Sequence, residues 1–322
     1  MTKLAILDVG HGNSAVLDDE GIVVIDAGPQ AGLLEYLRES EITEINVVLL
    51  SHADEDHIAG LLGLLASAEF KIKRVYLNTD SLKTSRIWDD LLYELDLLKR
   101  SGQIELGTSL TSGMTGQFDQ GSVQIEILGP SSYLAARGPG SRDRLGRKIG
   151  TNSVSAVIRL VKGGQPIALL PGDLDEIGLD ALMERGIDMR APILVFPHHG
   201  GRAGNAADMV NFTNRICELV KPERVIFSIG HGNSYPRLDV VETIRTFNPN
   251  IKIACTQLSK QCAGVLPKNN PHHIRVFSKG AEYHRCCAGT IVLDLDAHLW
   301  LPNDDEHQSF IANFALTALC QR

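Results

Sequence analysis

Residues 51–60 read Ser-His-Ala-Asp-Glu-Asp-His-Ile-Ala-Gly, which places His52, Asp54, Asp56 and His57 within six positions. Imidazole and carboxylate together suit one or two divalent transition metals. The apolar run Val47-Val48-Leu49-Leu50 lies directly before and reads as a buried strand. Directly after, Ile58, Leu61, Leu62 and Leu65 recur at helical spacing. A strand-to-helix turn can aim several side chains at one point, so four ligands could converge there. The plainer reading makes them surface groups at a helix start, with Asp54 and Asp56 favoured by the helix dipole.

Two other stretches carry chemistry. Residues 137–148 hold Arg137, Arg142, Arg144, Arg147 and Lys148 against a single Asp143, and lead into Thr151-Asn152-Ser153. Guanidinium forks bind phosphate bidentately, so Arg142, Arg144 and Arg147 could hold a phosphodiester backbone. The Gly and Pro content of this stretch predicts a mobile loop; a solvated basic loop is the alternative. Of the six cysteines, Cys217 and Cys320 look isolated, whereas Cys255, Cys262, Cys286 and Cys287 cluster. Clustered Cys in a reducing compartment point to a metal. Residues 255–287 are therefore expected to hold a structural zinc on Cys255, Cys262, Cys286 and one of Cys287, His284, His272 or His273. Free buried thiols are the alternative.

The rest of the chain must position these groups. It has 322 residues, net charge −8 and the apolar fraction of a globular protein. The charge argues against a generally basic, nucleic-acid-coating surface but leaves room for a local basic site. Apolar runs are strand length, too short to cross a bilayer, and the N-terminus has no signal-peptide pattern, so a cytoplasmic protein is expected. Strands are predicted over 4–7, 15–17, 22–25, 47–50 and 75–77, with helices over 32–39, 57–67 and 84–100. Residues 104–128 read as all-β. Strands over 155–161, 167–170, 193–196, 225–228 and 251–254 then alternate with helices over 177–184, 205–218 and 238–247. Two β-rich halves with helices outside suggest an α+β sandwich of two mixed sheets flanked by helices. The main domain is placed at 1–300 and a polar, weakly helical tail at 301–322.

The ordered motifs resemble the metallo-β-lactamase superfamily. Within it they are most similar to the soluble hydrolase domain of ComEC-type DNA-uptake competence proteins. Asp8-Val9-Gly10-His11-Gly12-Asn13 resembles an opening Asp-Val-Gly-Gln-Gly-Asp segment, and Ile25-Asp26-Ala27-Gly28 an Ile-Asp-Thr-Gly. In that opening loop His11 reads as a plain loop residue, with substrate contact as the alternative. His52 to His57 match His-x-Asp-x-Asp-His, the branch with Asp where most relatives carry a second His. Thr151-Asn152-Ser153, Pro171-Gly172-Asp173, His198-His199-Gly200 and 228–236 complete the set. The segments 251–254 and 288–292 resemble that family's closing hairpin. A His-Pro often follows the Asn-x-Tyr of the competence branch; here Pro236-Arg237 follow, and His231 lies close enough to substitute.

The resemblance implies a dinuclear centre of Zn or Mn. His52 and Asp54 would serve one ion, Asp56 and His57 the other, and Asp173 would bridge. His198 or His199 would complete a shell, Asp26 would position the turn, and Asn152 would contact substrate. Asp56, Asp173 and His231 would carry catalysis by a metal-bridged hydroxide. The expected function is a phosphodiesterase or nuclease acting on nucleic acid, with DNA, which the competence branch handles, as the first substrate. No membrane partner is expected, and a protein partner is left open. Hydrolysis of a small ester, lactone or lipid-head phosphodiester, or a non-catalytic subunit, are the alternatives.

Overall fold

The computed structural model describes the chain except residues 30, 205–207, 233, 263–265, 298, 302–303, 315–317 and 322, and describes only the backbone of 299–301 and 314. Alternation along the strands builds its layers. Val47 and Leu49 face Leu4, Ile6 and Leu17 of their own sheet and Ile158, Leu160 and Ala168 of another. Val48, between them, packs instead among Leu33, Ile58, Leu61, Leu91 and Leu95 from helices. Successive strand side chains point to opposite faces, so a strand apolar at every position is covered on both sides.

The first sheet has eight strands in the order Leu299–Leu301, Ile291–Asp294, Lys3–Ile6, Ser14–Asp18, Ile22–Ala27, Val47–Leu49, Arg74–Tyr76 and Glu105–Gly107. The second runs Lys252–Cys255, Arg224–Phe227, Ile193–Val195, Gln165–Leu170, Val157–Lys162 and Val123–Gly129. Each mixes parallel and antiparallel pairs. Helices Gly32–Glu39, Glu55–Ser67 and Arg86–Arg100 cover the first sheet. Helices Glu176–Glu184, Met209–Val220 and Leu238–Phe247 cover the second, through Leu179, Phe212, Ile216, Val240 and Ile244. This is the expected helix–sheet–sheet–helix sandwich.

Some expectations need correction. Residues 104–128 are not all strand: Glu105–Gly107 and Val123–Gly129 flank a single-turn helix, Ser112–Met114. There, Asp119 Oδ1 accepts from Ile125 N and Thr115 Oγ1 from Ile127 N, so side chains take the place of a strand partner. The segments 251–254 and 288–292 form no hairpin, because Lys252–Cys255 closes the second sheet while Ile291–Asp294 pairs with Lys3–Ile6 in the first. They meet only at their ends, through Cys287 N to Thr256 O and Ala288 N to Cys255 O. The helix expected over 205–218 begins at Met209; residues 205–207 lie outside the described set. The tail forms a helix, Asp304–Phe314. Among the described residues no helix is long and apolar enough to cross a membrane.

The basic loop is more built than its Gly and Pro content predicts. Asp143 Oδ1 accepts from Leu145 N and Arg147 N, and Arg142 and Lys148 form a β-bridge.

Candidate metal centre

The site gathers where parallel strands end. Val47–Leu49 leads to Ser51-His52, Gln165–Leu170 to Asp173, Ile193–Val195 to His198-His199, and Arg224–Phe227 to Ser228. Crevices at the carboxyl ends of parallel strands are the usual binding place in such sheets. Asp54 stands at the N-cap position of helix Glu55–Ser67, with φ −75° and ψ 141°, yet its side chain caps nothing. Its carboxylate instead meets His52 Nε2 at 3.5 Å and pairs with Lys83. The surface-cap reading of Asp54 therefore fails.

The helix sits tight against the neighbouring strand end. A Cβ on Gly60 would lie 2.2 Å from Gly28 O. That approach sets Asp26 against the turn. Asp26 takes a left-handed φ of 57°, uncommon outside Gly. Its Oδ1 accepts from Ser51 N at 2.7 Å, and its Oδ2 from Ser51 Oγ at 2.8 Å and His57 Nδ1 at 2.7 Å.

These contacts fix tautomers. His57 donates from Nδ1 to Asp26, so its Nε2 carries the lone pair. Because the Ser51 hydroxyl donates to Asp26, its oxygen accepts from His52 Nδ1 at 2.9 Å, and His52 Nε2 is likewise the lone-pair nitrogen. His199 donates from Nδ1 to Ser228 O at 2.7 Å and turns Nε2 toward Asp56 Oδ2 at 3.1 Å. The Nε2 atoms of His52 and His57 are buried and have no hydrogen-bond partner. A buried nitrogen lone pair left unpaired is costly, and a cation would satisfy it.

His198 differs. Its Nε2 accepts from Asn152 Nδ2 at 2.9 Å and Gly204 N at 3.1 Å, which leaves the proton on Nδ1, 3.1 Å from Asp173 Oδ2. Of the adjacent pair, His198 turns a donor onto Asp173, whereas His199 stands in a group of side chains that could hold an ion. Both have left-handed φ, 53° and 56°. Two consecutive non-Gly residues there cost of order 1–3 kcal/mol each, a strain typical of functional sites.

Asp173 joins two groups. His52, His57 and Asp173 form one, and His11, Asp56 and His199 the other, with ligand atoms in each within 4.8 Å of one another. Asp173 Oδ1 lies 3.2 Å from His57 Nε2 and 3.9 Å from His199 Nε2, while Oδ2 lies 3.8 Å from His52 Nε2. Asp56 Oδ2 lies 3.1 Å from His199 Nε2 and 3.6 Å from His11 Nε2. The side chains group otherwise than the expected pairing of Asp56 with His57: Asp56 lies with His199 and His11, and His57 with His52 and Asp173.

The electrostatics suit cations. Burial alone would push Asp173 up, but His198, His57 and His199 hold its carboxyl well below the usual range. Burial opposes ionisation of Asp54 too, yet His52 and Lys83 bring it down to about 2. His11 is lowered to about 4, chiefly by burial and then by His199. Burial alone would push His57 down, but Asp173 and Asp26 hold it well above its ordinary value, so a divalent ion bound there would displace a proton from the carboxylate-and-imidazole donor set.

His11, expected to be a plain loop residue, stands in the second group. Gly12, at φ 142°, lets the opening loop approach: a Cβ there would lie 2.3 Å from Asp56 O. Asn13 N donates to that same oxygen at 3.1 Å, and Ser228 Oγ to Gly12 O at 2.6 Å. The signal available in the sequence is a His flanked by glycines at a position where the competence pattern has Gln. Lys83 gives no such signal.

Other expected residues stand elsewhere. His231 turns Nδ1 onto Leu258 O at 2.6 Å and belongs to neither group. Asn152 reaches the site through His198, and its Oδ1 is buried without a partner. Arg147 is committed to Asp143 at 2.7 Å and to Asp180. Its fork is thus used within the fold, whereas Arg142 and Arg144 are exposed. Cys286 does not face the other cysteines of its cluster; its Sγ lies 3.4 Å from Asp8 Oδ2.

The chain is 24% identical over 265 residues to Competence protein ComA of Neisseria gonorrhoeae, covering 80% of this chain and 31% of that protein. It is 22% identical over 256 residues to ComE operon protein 3 of Bacillus subtilis (strain 168), covering 72% of this chain and 29% of that one. It thus spans about a third of the length of these relatives. The metallo-beta-lactamase fold protein YhfI of Bacillus subtilis superposes with a TM-score of 0.48 at 11% identity, over 79% of this chain and 96% of that one. The Metallo-beta-lactamase superfamily model matches residues 7–231, well over half the chain. The chain belongs to the metallo-beta-lactamase superfamily, whose fold is built to hold divalent metals for hydrolysis.

Proposed function

We propose that this chain is a dinuclear metal-dependent phosphodiesterase whose substrate is nucleic acid, in the first instance DNA. The observation that carries the reading is Asp173, whose carboxylate faces His57 and His52 of one group and, through Oδ1 at 3.9 Å, His199 of the other. His52, His57 and Asp54 would hold one ion and Asp56, His199 and His11 the other, with Asp173 shared. The unpaired Nε2 atoms of His52 and His57 fit that role. Two such ions, when bound, supply a water acidified toward neutral pH and a clamp on the attacking and leaving oxygens.

The chain's own residues do the rest. Asp26 and Ser51 lock the imidazoles in the ligating tautomer. His198 orients Asp173. Lys83 stands at the rim beside Asp54 and places a mobile-stemmed cation where a phosphate would approach. The loop that bears Arg142 and Arg144 packs against the segment that bears Lys83, since a Cβ on Gly140 would lie 2.4 Å from Leu82. Similarity to competence proteins supports DNA over a small ester.

The test is cleavage of DNA and of a chromogenic phosphodiester by metal-loaded protein, with and without Arg142→Glu plus Arg144→Glu. DNA cleavage should fall at least about tenfold while the small substrate is turned over normally. The salt dependence of DNA binding should flatten by about 0.9 for each phosphate that is no longer neutralised. Turnover of the small substrate with no DNA cleavage by the unmodified protein contradicts the nuclease reading.

A further inference from the structure

The cysteines gather in space, but not as their spacing suggests. Cys255, Cys262, Cys287 and Cys320 line one cavity of about 10 Å³, room for a single small ion, whose other walls are apolar apart from Gln257. Cys255 ends the last strand of the second sheet, Cys287 lies on the segment that bonds back to it through Thr256 O, and Cys320 comes from the tail. Cys286 points the other way because neighbouring residues of an extended segment face opposite sides. It is held at Asp8, together with Gln257 Nε2 and Gly280 N. Only one of the adjacent pair can face the cavity, and Cys287 does.

We propose that Cys255, Cys262, Cys287 and Cys320 form a closed four-thiolate site for a structural zinc ion, which fastens the C-terminal segment to the second sheet. The donor count and chemistry match a Cys₄ structural site, which needs no open position. Cys255, Cys262 and Cys287 are buried and Cys320 is half-buried, and all four are free thiols. Four sulfurs gathered in an apolar pocket are adverse as thiolates unless a cation joins them; zinc binding expels the protons and turns that cost into folding free energy. His307 Nε2, 3.3 Å from Cys287 Sγ, brings the tail helix to the same place. Arg245 bonds Cys320 O, and Arg224 and Lys252 hold Asp304, so the tail already reaches the cavity from two sides.

Cobalt(II) loading tests the site independently of the His/Asp centre, which has no sulfur ligand. Thiolate-to-cobalt charge transfer gives a near-ultraviolet band that His and Asp ligands do not. The full chain should show this band. Cys320→Ser should weaken it by a quarter or more and remove one zinc per chain from the elemental analysis, whereas Cys286→Ser should leave both unchanged. If Cys320→Ser fails to fold, titration of the unmodified protein with an organomercurial decides the matter: one zinc should be released as four thiols are blocked, with the metals of the His/Asp centre retained. Absence of the band, loss on Cys286→Ser but not Cys320→Ser, or disulfides among the four in a mass measurement without reductant would each overturn the proposal.

Discussion

Asp26→Asn isolates what the tautomer lock does. The substitution keeps volume and removes one charge. Asp26 accepts three hydrogen bonds through two oxygens, at 2.7–2.8 Å. An amide has only one acceptor oxygen, so one of two conflicts must arise. With the NH₂ toward Ser51 N, two buried donors face one another. With the NH₂ toward His57, that ring must shift its proton to Nε2, the atom facing Asp173. Loss of a charge-assisted hydrogen bond costs about 1.5–3 kcal/mol of stability. Loss of an orienting partner costs about 10- to 100-fold in metal affinity, or about 1.4–2.8 kcal/mol. The assay is competition with a chromogenic chelator for zinc, alongside a denaturant titration. The expected result is a fall in both quantities, with activity partly restored by excess metal. If stability falls but affinity stays within twofold of the unmodified protein, Asp26 merely supports the fold and does not set the tautomer.

Adjacent histidines should separate cleanly. His199→Ala removes a ligand and should lower bound metal by about one ion per chain, whereas His198→Gln should retain full stoichiometry at reduced affinity, as elemental analysis would register. Gly60→Ala should destabilise by about 1–3 kcal/mol, because the new methyl meets the backbone at Gly28 rather than a side chain that can move; an unchanged melting temperature contradicts the packing described. The tail should respond to acid. Burial pushes the Asp304 carboxyl up, but Arg224 and Lys252 more than offset this and hold it below its ordinary value. A depressed carboxylate stabilises above its unfolded pKa of about 3.9, and that stabilisation disappears as pH falls through the lower folded value. Proteolysis of the tail should therefore accelerate on acidification below about pH 4, and Asp304→Asn should be fast throughout; equal protection of the unmodified tail at pH 7 and pH 3 contradicts it.

How much of this is legible in the sequence depends on how local each signal is. The turn at 51–60 is readable because strand, ligands and helix are contiguous, and Asp173 and His198-His199 follow from ordered motifs. The sandwich follows from strands apolar on both faces. His11 is not readable as a member of the cluster, since only the packing of Gly12 on Asp56 brings it there. Arg147 looks like a phosphate ligand in sequence because its partner Asp180 lies on a helix 33 residues away. Cysteine spacing misleads in the same manner. Cys286 is close to Cys287 in the chain and faces Asp8, while Cys320, distant in the chain, lines the same cavity as Cys255 and Cys287. Residues 104–128 mislead for another reason: Asp119 and Thr115 stand in for backbone partners that pattern alone assigns to strands.

The central claim is that Asp173 is shared between two ions. Elemental analysis of metal-replete protein, set beside Asp173→Asn of confirmed fold by circular dichroism, tests it most directly. The substitution should lower bound metal by two per chain, because both groups lose the carboxylate that joins them. A variant that keeps the full complement at unchanged affinity would contradict the claim.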